Sequence, residues 1–415
     1  MPKPSHPRWG RIIGSYPPSD INGSTLSMDS EATGLRAMRE IAGLATDIRI
    51  PAPTQLANKS NSISIHSLQL ALRLSQDPMK MHHLADPPVI SSCIRLMKAI
   101  VGQTSGVASP FSYEFGYLCF RLLVITLNTC LLDRWGRLDQ AQARLDQYPH
   151  VAAHVLISME VSLAVHKQFE NIVNGGDCDT VLGLPTSNTQ RRPQKPALLS
   201  PSEIETLLDV IWDDRKLFLR ALMLDVPIAS GLSGLLFLFA RRVAQESDSQ
   251  QDPSPLRRKL YELALRYCLV QDSSQIVSTL NVISSSPCYG GWINTAKHVD
   301  AEDSRWIMTS FIKRLSERSD PDDLIKEDVS MMLRYVPLST DTLTQDLLPE
   351  VLKYSIEYGW SLLLAREDKN EIRLAVHTLL PTLMYNKLVD ISSPQPTLSL
   401  RVIDSNPGLR HNAQG

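Results

Sequence analysis

The stretch SPSEIETLLDVIWDDRKLFLRALMLDVPIASGLSGLLFLFARRV, residues 200–243, decides the fold class. Ser200, Pro201 and Glu203 supply a hydroxyl cap, a proline at the first helical position and a carboxylate reaching back, the pattern that satisfies the free N–H groups of a helix start. Ile204, Leu207, Leu208 and Ile211 then follow at the spacing of one buried helix face, and Leu217, Phe218, Ala221, Leu222 and Leu224 continue it. Asp225-Val226-Pro227 breaks the pattern, because proline disfavours helix in the residue before it and offers no N–H. A second helix is expected over Ile228–Val243, apolar on every side up to Arg241-Arg242. An all-round apolar helix belongs in the centre of a large helical protein. Residues 222–240 approach the roughly 20 that a bilayer span needs, but Asp225, Pro227, Gly231 and Gly234 interrupt them. A membrane anchor over 222–240 is therefore the alternative reading, and the two glycines suit close helix approach in a core.

Composition extends this reading to the whole chain. Its 415 residues with 43% hydrophobic content supply core for two or three domains or one elongated array. Glycine is sparse, Val/Ile/Thr alternation is almost absent, and Leu, Ala, Arg, Glu and Gln recur at helical spacing, so the fold class expected is all-α. A net charge of −2 and a pI near 6.6 give no electrostatic ground for a nucleic-acid partner. Cys93, Cys119, Cys130 and Cys268 sit inside apolar helical segments, as buried thiols do, and neither they nor Cys178 and Cys288 have zinc-knuckle spacing. No cofactor or metal is expected, and a reducing compartment is, which places the chain inside the cell, in cytoplasm or nucleus.

The organisation follows from punctuation. Residues 1–30 are rich in Pro, Ser and Gly without apolar period and read as a flexible arm. Residues 31–245 read as a bundle of long helices: Glu31–Arg49, Ile65–Ser75, one introduced by Asp86-Pro87-Pro88, one capped by Ser109 with Pro110 at N1 and running to Arg134, and Pro149–Ile172. In the helix ending at Arg134, Glu114, Arg121 and Asn128 recur every seventh residue and form one narrow polar seam on an apolar cylinder. The bundle contains a loop at 174–199, with Gly175-Gly176, Pro185, Pro193, Pro196 and the basic residues Arg191, Arg192 and Lys195, read as a solvated linker. Residues 254–388 read as three antiparallel helix pairs beginning near 256, 302 and 348, a spacing close to 46 residues that suits HEAT- or armadillo-like repeats. A flexible tail is expected over 389–415.

Chemistry is thinly signalled. No phosphate-binding glycine loop occurs. Gly231-Leu232-Ser233-Gly234 resembles half a nucleophile elbow but has the second glycine one position early and no strand before it. His150 and His154 have the spacing for one metal but lack a third ligand, and His82-His83 stands beside Met79 and Met81 as a loop pair. Asp213-Asp214, Asp300/Glu302/Asp303 and Asp320/Asp322/Asp323 stand at helix starts, where they offset the helix dipole. Cys288, Tyr289, Gly290, Gly291 and Trp292 form the one loop mixing a thiol, two glycines and two aromatics, and are the candidate ligand or partner contact. The reading that follows is a non-enzymatic helical scaffold or interaction module whose partner is another protein. The alternatives are the membrane anchor and an enzyme or ligand-sensing domain with a pocket among the helices. The last is similar in texture to the helical regulatory regions of fungal zinc-cluster transcription regulators, but the chain has no cysteine-dense DNA-binding module.

Overall fold

The computed structural model describes residues 5–13, 27–46, 63–103, 109–145, 147, 153–184, 196–223, 231–246, 254–268, 271, 275–285, 305, 308, 309, 312, 316, 344–351, 353, 354 and 357. Of the described residues 82% are helical, and the only sheet among them is a two-stranded ribbon, so the fold class is all-α. The ribbon pairs β1 (Ser5–His6) with β2 (Gly10–Arg11). It lies inside the segment whose composition suggests a flexible arm.

The helices come in order α1 (Met28–Thr46), α2 (Ile65–Arg73), α3 (Pro87–Gln103), α4 (Glu114–Arg134), α5 (Leu138–Leu145) and α6 (Ala153–Val173). They continue with α7 (Asp179–Leu182), α8 (Pro201–Asp213), α9 (Arg215–Met223), α10 (Ser233–Glu246), α11 (Pro255–Tyr267) and α12 (Ile276–Ser285). The start of α8 is as its residues dictate: Ser200 accepts from the Glu203 N–H and the Glu203 carboxylate accepts from the Ser200 N–H at 2.8 Å, closing a capping box. The expected continuous helix beyond it is split at Asp214, whose backbone leaves the helical region. Its carboxylate accepts from the Leu217 N–H at 3.4 Å, so it caps α9 in turn.

Ser109 also caps differently from the expectation. It accepts from the Phe111 N–H at the head of a 3-10 turn, Pro110–Ser112, and Tyr113 then runs extended before α4 begins. The turn folds so tightly onto α4 that a Cβ on Gly116 would overlap the Pro110 carbonyl. Phe111 of this turn meets Phe120 at 5.5 Å and Phe218 at 5.2 Å between ring centroids, all edge-to-face, and so joins α4 to α9.

Two helices organise the packing. Helix α4 is buried from Glu114 to Leu132 except at Arg121 and packs on α2, α3, α6 and α10. By length and composition it could cross a membrane, yet 94% of its most apolar window is buried against the rest of the chain. Helix α10, from the stretch quoted first, has Leu235–Ala240 buried on every side and packs on α4, α6, α8, α11 and α12. Of the alternative anchor over 222–240, residues 222–223 and 231–240 are described: α9 stops at Met223 and α10 starts at Ser233. Where α10 crosses α4, a Cβ on Gly234 would stand 2.6 Å from both Asn128 Oδ1 and Leu131 Cδ1, so glycine is what the close approach requires.

The stretch expected as a linker, 174–199, is described over 174–184 and 196–199. Helix α7 lies in its first part, and Cys178, Leu182, Leu184, Leu198 and Leu199 are buried. Arg134 at the end of α4 donates to the carbonyls of Val181, Leu182 and Pro196, and Arg241 of α10 forms a two-pronged bond with Asp179 at 2.7 and 2.8 Å. Of the three expected helix pairs, the first is described as α11 and α12. It packs on α6, α8 and α10 and belongs to the same hydrophobic cluster, which runs from Trp9 to Val351. The second and third pairs lie largely outside the described residues, as does the tail over 389–415.

Candidate functional site

The polar seam of α4 faces a different neighbour at each of its three residues. Asn128 donates from Nδ2 to the Gly231 carbonyl at 3.1 Å and so ties α4 to the entry of α10. Arg121 Nη2 lies 3.5 Å from Nε2 of His154 on α6. His154 is 1% exposed, and burial first, with the Arg121 charge second and a Ser75 backbone group opposing, pushes its pKa down to about 3. The imidazole is therefore neutral at physiological pH.

Glu114, the first seam residue, is held by a segment far away in sequence. Its carboxylate accepts from Arg11 Nε at 3.1 Å and Nη2 at 3.1 Å, from the Arg11 backbone N–H at 3.3 Å, and from Gln69 Nε2 at 3.3 Å. Arg11 belongs to the β1–β2 ribbon, and the ribbon fits the start of α4 closely. His6 Nδ1 accepts from the backbone N–H groups of Arg8 and Trp9, which rounds the turn. Trp9, 3% exposed, makes a T-shaped contact with Phe115 at 5.1 Å and carries the Arg8 guanidinium 4.2 Å above its ring. The Trp9 carbonyl accepts from the Phe115 N–H at 3.1 Å, and Ile12 bridges to Tyr113 as one antiparallel rung. Tyr113 provides no side-chain cap, so the Trp9 carbonyl does for α4 what a serine does elsewhere. Gly10 has φ +79°, and a Cβ there would stand 2.5 Å from Ile65 Cδ1 and 2.9 Å from Glu114 Oε2. The residue between tryptophan and arginine must be glycine.

Other candidates do not converge in this way. His154 faces an arginine, which is no neighbour for a metal, and His150 lies outside the described residues. His82 and His83 lie with ring centroids 3.8 Å apart and planes tilted by 46°, but His83 pairs with Glu31 at 3.2 Å while Lys80 takes the other oxygen of that carboxylate at 2.7 Å, and Met81 is buried. Among the described residues no group of three or more His, Cys, Asp or Glu is placed to hold a metal ion. Ser233, from the half elbow, is 2% exposed and shares a hydroxyl cluster with Ser278 at 2.7 Å, which in turn reaches Ser162 at 3.1 Å. His166, one turn along α6 from Ser162, has Nδ1 at 3.1 Å from Asn281 Nδ2 and Nε2 at 3.4 Å from Glu170. His166 is thus engaged by Asn281 of α12 and Glu170 of α6, and the hydroxyl cluster joins α6, α10 and α12. Cys288, Tyr289, Gly290, Gly291 and Trp292 lie outside the described residues.

Two groups escaped the sequence reading. The ribbon is too short for periodicity, and its one signal is a Trp-Gly-Arg triplet within proline-rich sequence. Trp212, Arg215 and Arg266 form a buried cluster in which both guanidiniums lie over one indole, at 4.4 and 5.4 Å, and Glu262 pairs with Arg266 at 3.3 Å. Periodicity places these positions on inward faces but cannot anticipate arginine as filling. Comparison with known protein families, curated proteins and solved structures finds no match to this chain.

Proposed function

We propose that this chain is a non-enzymatic helical scaffold or protein–protein interaction module whose partner is another protein. The observation that carries the reading is the grip of the helical body on residues 5–13. An aromatic side chain in a buried seat, a strand-like bridge and an arginine–carboxylate fork are the means by which folded domains take hold of extended segments in general. The hydroxyl cluster and the neutral His154 fit this reading, since each is spent on joining helices. The even spacing of helix starts over 254–388 supports HEAT- or armadillo-like stacking beyond α12, which would extend the module into an elongated surface. A reducing intracellular setting, cytoplasmic or nuclear, goes with the buried cysteines Cys93, Cys119, Cys130, Cys178 and Cys268, none of them in a disulfide.

The test is purification of the full chain from its own cells followed by size exclusion and mass spectrometry. A single protein in fixed ratio is expected. Recovery only from the membrane pellet, resistant to carbonate, would replace this reading with the membrane anchor, and a bound small molecule in fixed ratio would replace it with the ligand-sensing alternative.

A further inference from the structure

We propose that the cleft between α2 and the Tyr113–Phe115 junction is a peptide-docking site. Its ligand class is an extended segment carrying tryptophan, glycine and arginine in succession, and residues 5–13 are its exchangeable resident. The proposal rests on the interaction-module reading and names the chemistry of one partner surface.

The specificity follows from what each wall of the cleft demands. Phe115 meets the Trp9 ring in a T-shaped contact at 5.1 Å and Trp9 is 3% exposed, so the first requirement is a large aromatic. Ile65 and Glu114 close on the next position to within 2.5 and 2.9 Å of where a Cβ would be, and its φ is +79°, so the second requirement is glycine. Glu114 is 4% exposed and receives a guanidinium through two parallel bonds of 3.1 Å, a geometry that lysine cannot reproduce, so the third requirement is arginine. The backbone supplies register without further sequence demand, through the Phe115 N–H to Trp9 carbonyl bond and the Ile12–Tyr113 rung.

Exchange requires a competitor to outdo a resident held in the same chain. Being part of the same chain, these nine residues act as a tethered ligand with a high effective concentration. A free segment with the same contacts must therefore compete with that concentration, and a natural partner needs either contacts beyond the triplet or a resident already displaced. The cleft is accordingly selective against weak encounters and open to a partner that brings the same triplet with additional surface.

The experiment uses the full chain with its resident weakened by Trp9→Ala and Arg11→Ala together. The probe is a fluorescein-labelled peptide of sequence SHPRWGRII, residues 5–13, read by fluorescence anisotropy. Saturable binding is expected, at least tenfold tighter than to the wild-type chain and at least tenfold tighter than for the peptide with its tryptophan changed to alanine or its arginine to lysine. No saturation at millimolar peptide on a folded variant, or equal binding of the altered peptides, would overturn the proposal. Should the double variant fail to fold, a protease site placed between residues 14 and 26 of the otherwise wild-type chain decides. After cleavage of the folded protein, release of the segment on dilution and its return on adding the same peptide are expected; a segment that never leaves, or leaves and does not return, would overturn the proposal. Failure here leaves a stoichiometric partner detectable by native purification, so the two readings are separable.

Discussion

A single histidine shows how the seam of α4 couples burial to pH. His154 carries an ordinary pKa of 6.5 when unfolded and about 3 when buried beside Arg121. Below 6.5 the unfolded chain therefore binds a proton that the folded chain refuses, and stability falls with pH by up to about 1.4 kcal/mol per unit until the folded value is reached. Carboxylates such as Glu31, which the Lys80 ammonium holds below the usual 4.5, lose their stabilising charge only at lower pH. The histidine's contribution therefore sets in at higher pH than the loss of the Glu31 charge. His154→Gln is expected to flatten the decline in urea midpoint from pH 6.5 to 4.5 relative to wild type. Parallel declines in the two proteins would show that His154 is not the group responsible. The sequence placed His154 on a helix and paired it with His150 by spacing; it could not reveal that Arg121, 33 positions away, occupies the side a metal would need.

Elements were legible where their signals are local. The Ser200–Glu203 box, the proline starts at Pro87, Pro201 and Pro255, and the apolar faces of α3, α4 and α8 follow from residues within one turn of each other. What escaped depends on distant partners: Tyr113 leaves the helix to bridge Ile12, and a carbonyl from Trp9 caps α4. The candidate loop at 288–292 lies outside the described residues, and the docking cleft took its place because its parts come from three separated segments. Helix α7 is another such case, since its four residues are too few to be stable alone and are held by the Asp179–Arg241 pair. These side chains are 11% and 19% exposed, so breaking the pair leaves a largely buried carboxylate. Arg241→Met is expected to cost roughly 2 to 3 kcal/mol, the buried-pair penalty reduced for the water that still reaches it. The local readout is Cys178, buried next to Asp179 and with its thiol pKa pushed by burial up to about 12. Alkylation mapped by mass spectrometry should accelerate at Cys178 and not at Cys119 in α4. Equal acceleration at both would mean that the pair supports the whole fold and not this one element.

At the scale of the molecule, the question is where cooperativity ends. Composition and spacing set a boundary near residue 250, with a bundle before it and helix pairs after it. The first pair nevertheless shares its buried surface with the bundle: α12 packs on α6 and α10, and Ser278 of α12 meets hydroxyls from both of those helices. Tyr267, at the end of α11, accepts from the Leu232 N–H at 3.2 Å and donates to Gln275, so the entry of α10 is completed by residues from beyond the boundary. Removing core from α12 should therefore be felt in α6 and α10. Ile283 is fully buried, and Ile283→Ala is expected to cost about 2 to 5 kcal/mol by lost transfer energy and the cavity left behind. Hydrogen exchange distinguishes two outcomes. If α6, α10, α11 and α12 speed up together, they form one cooperative unit and any separable repeat array begins after residue 285. If acceleration stays within α11 and α12, the pair unfolds by itself as stacked repeats do, and the boundary near 250 stands despite the shared core.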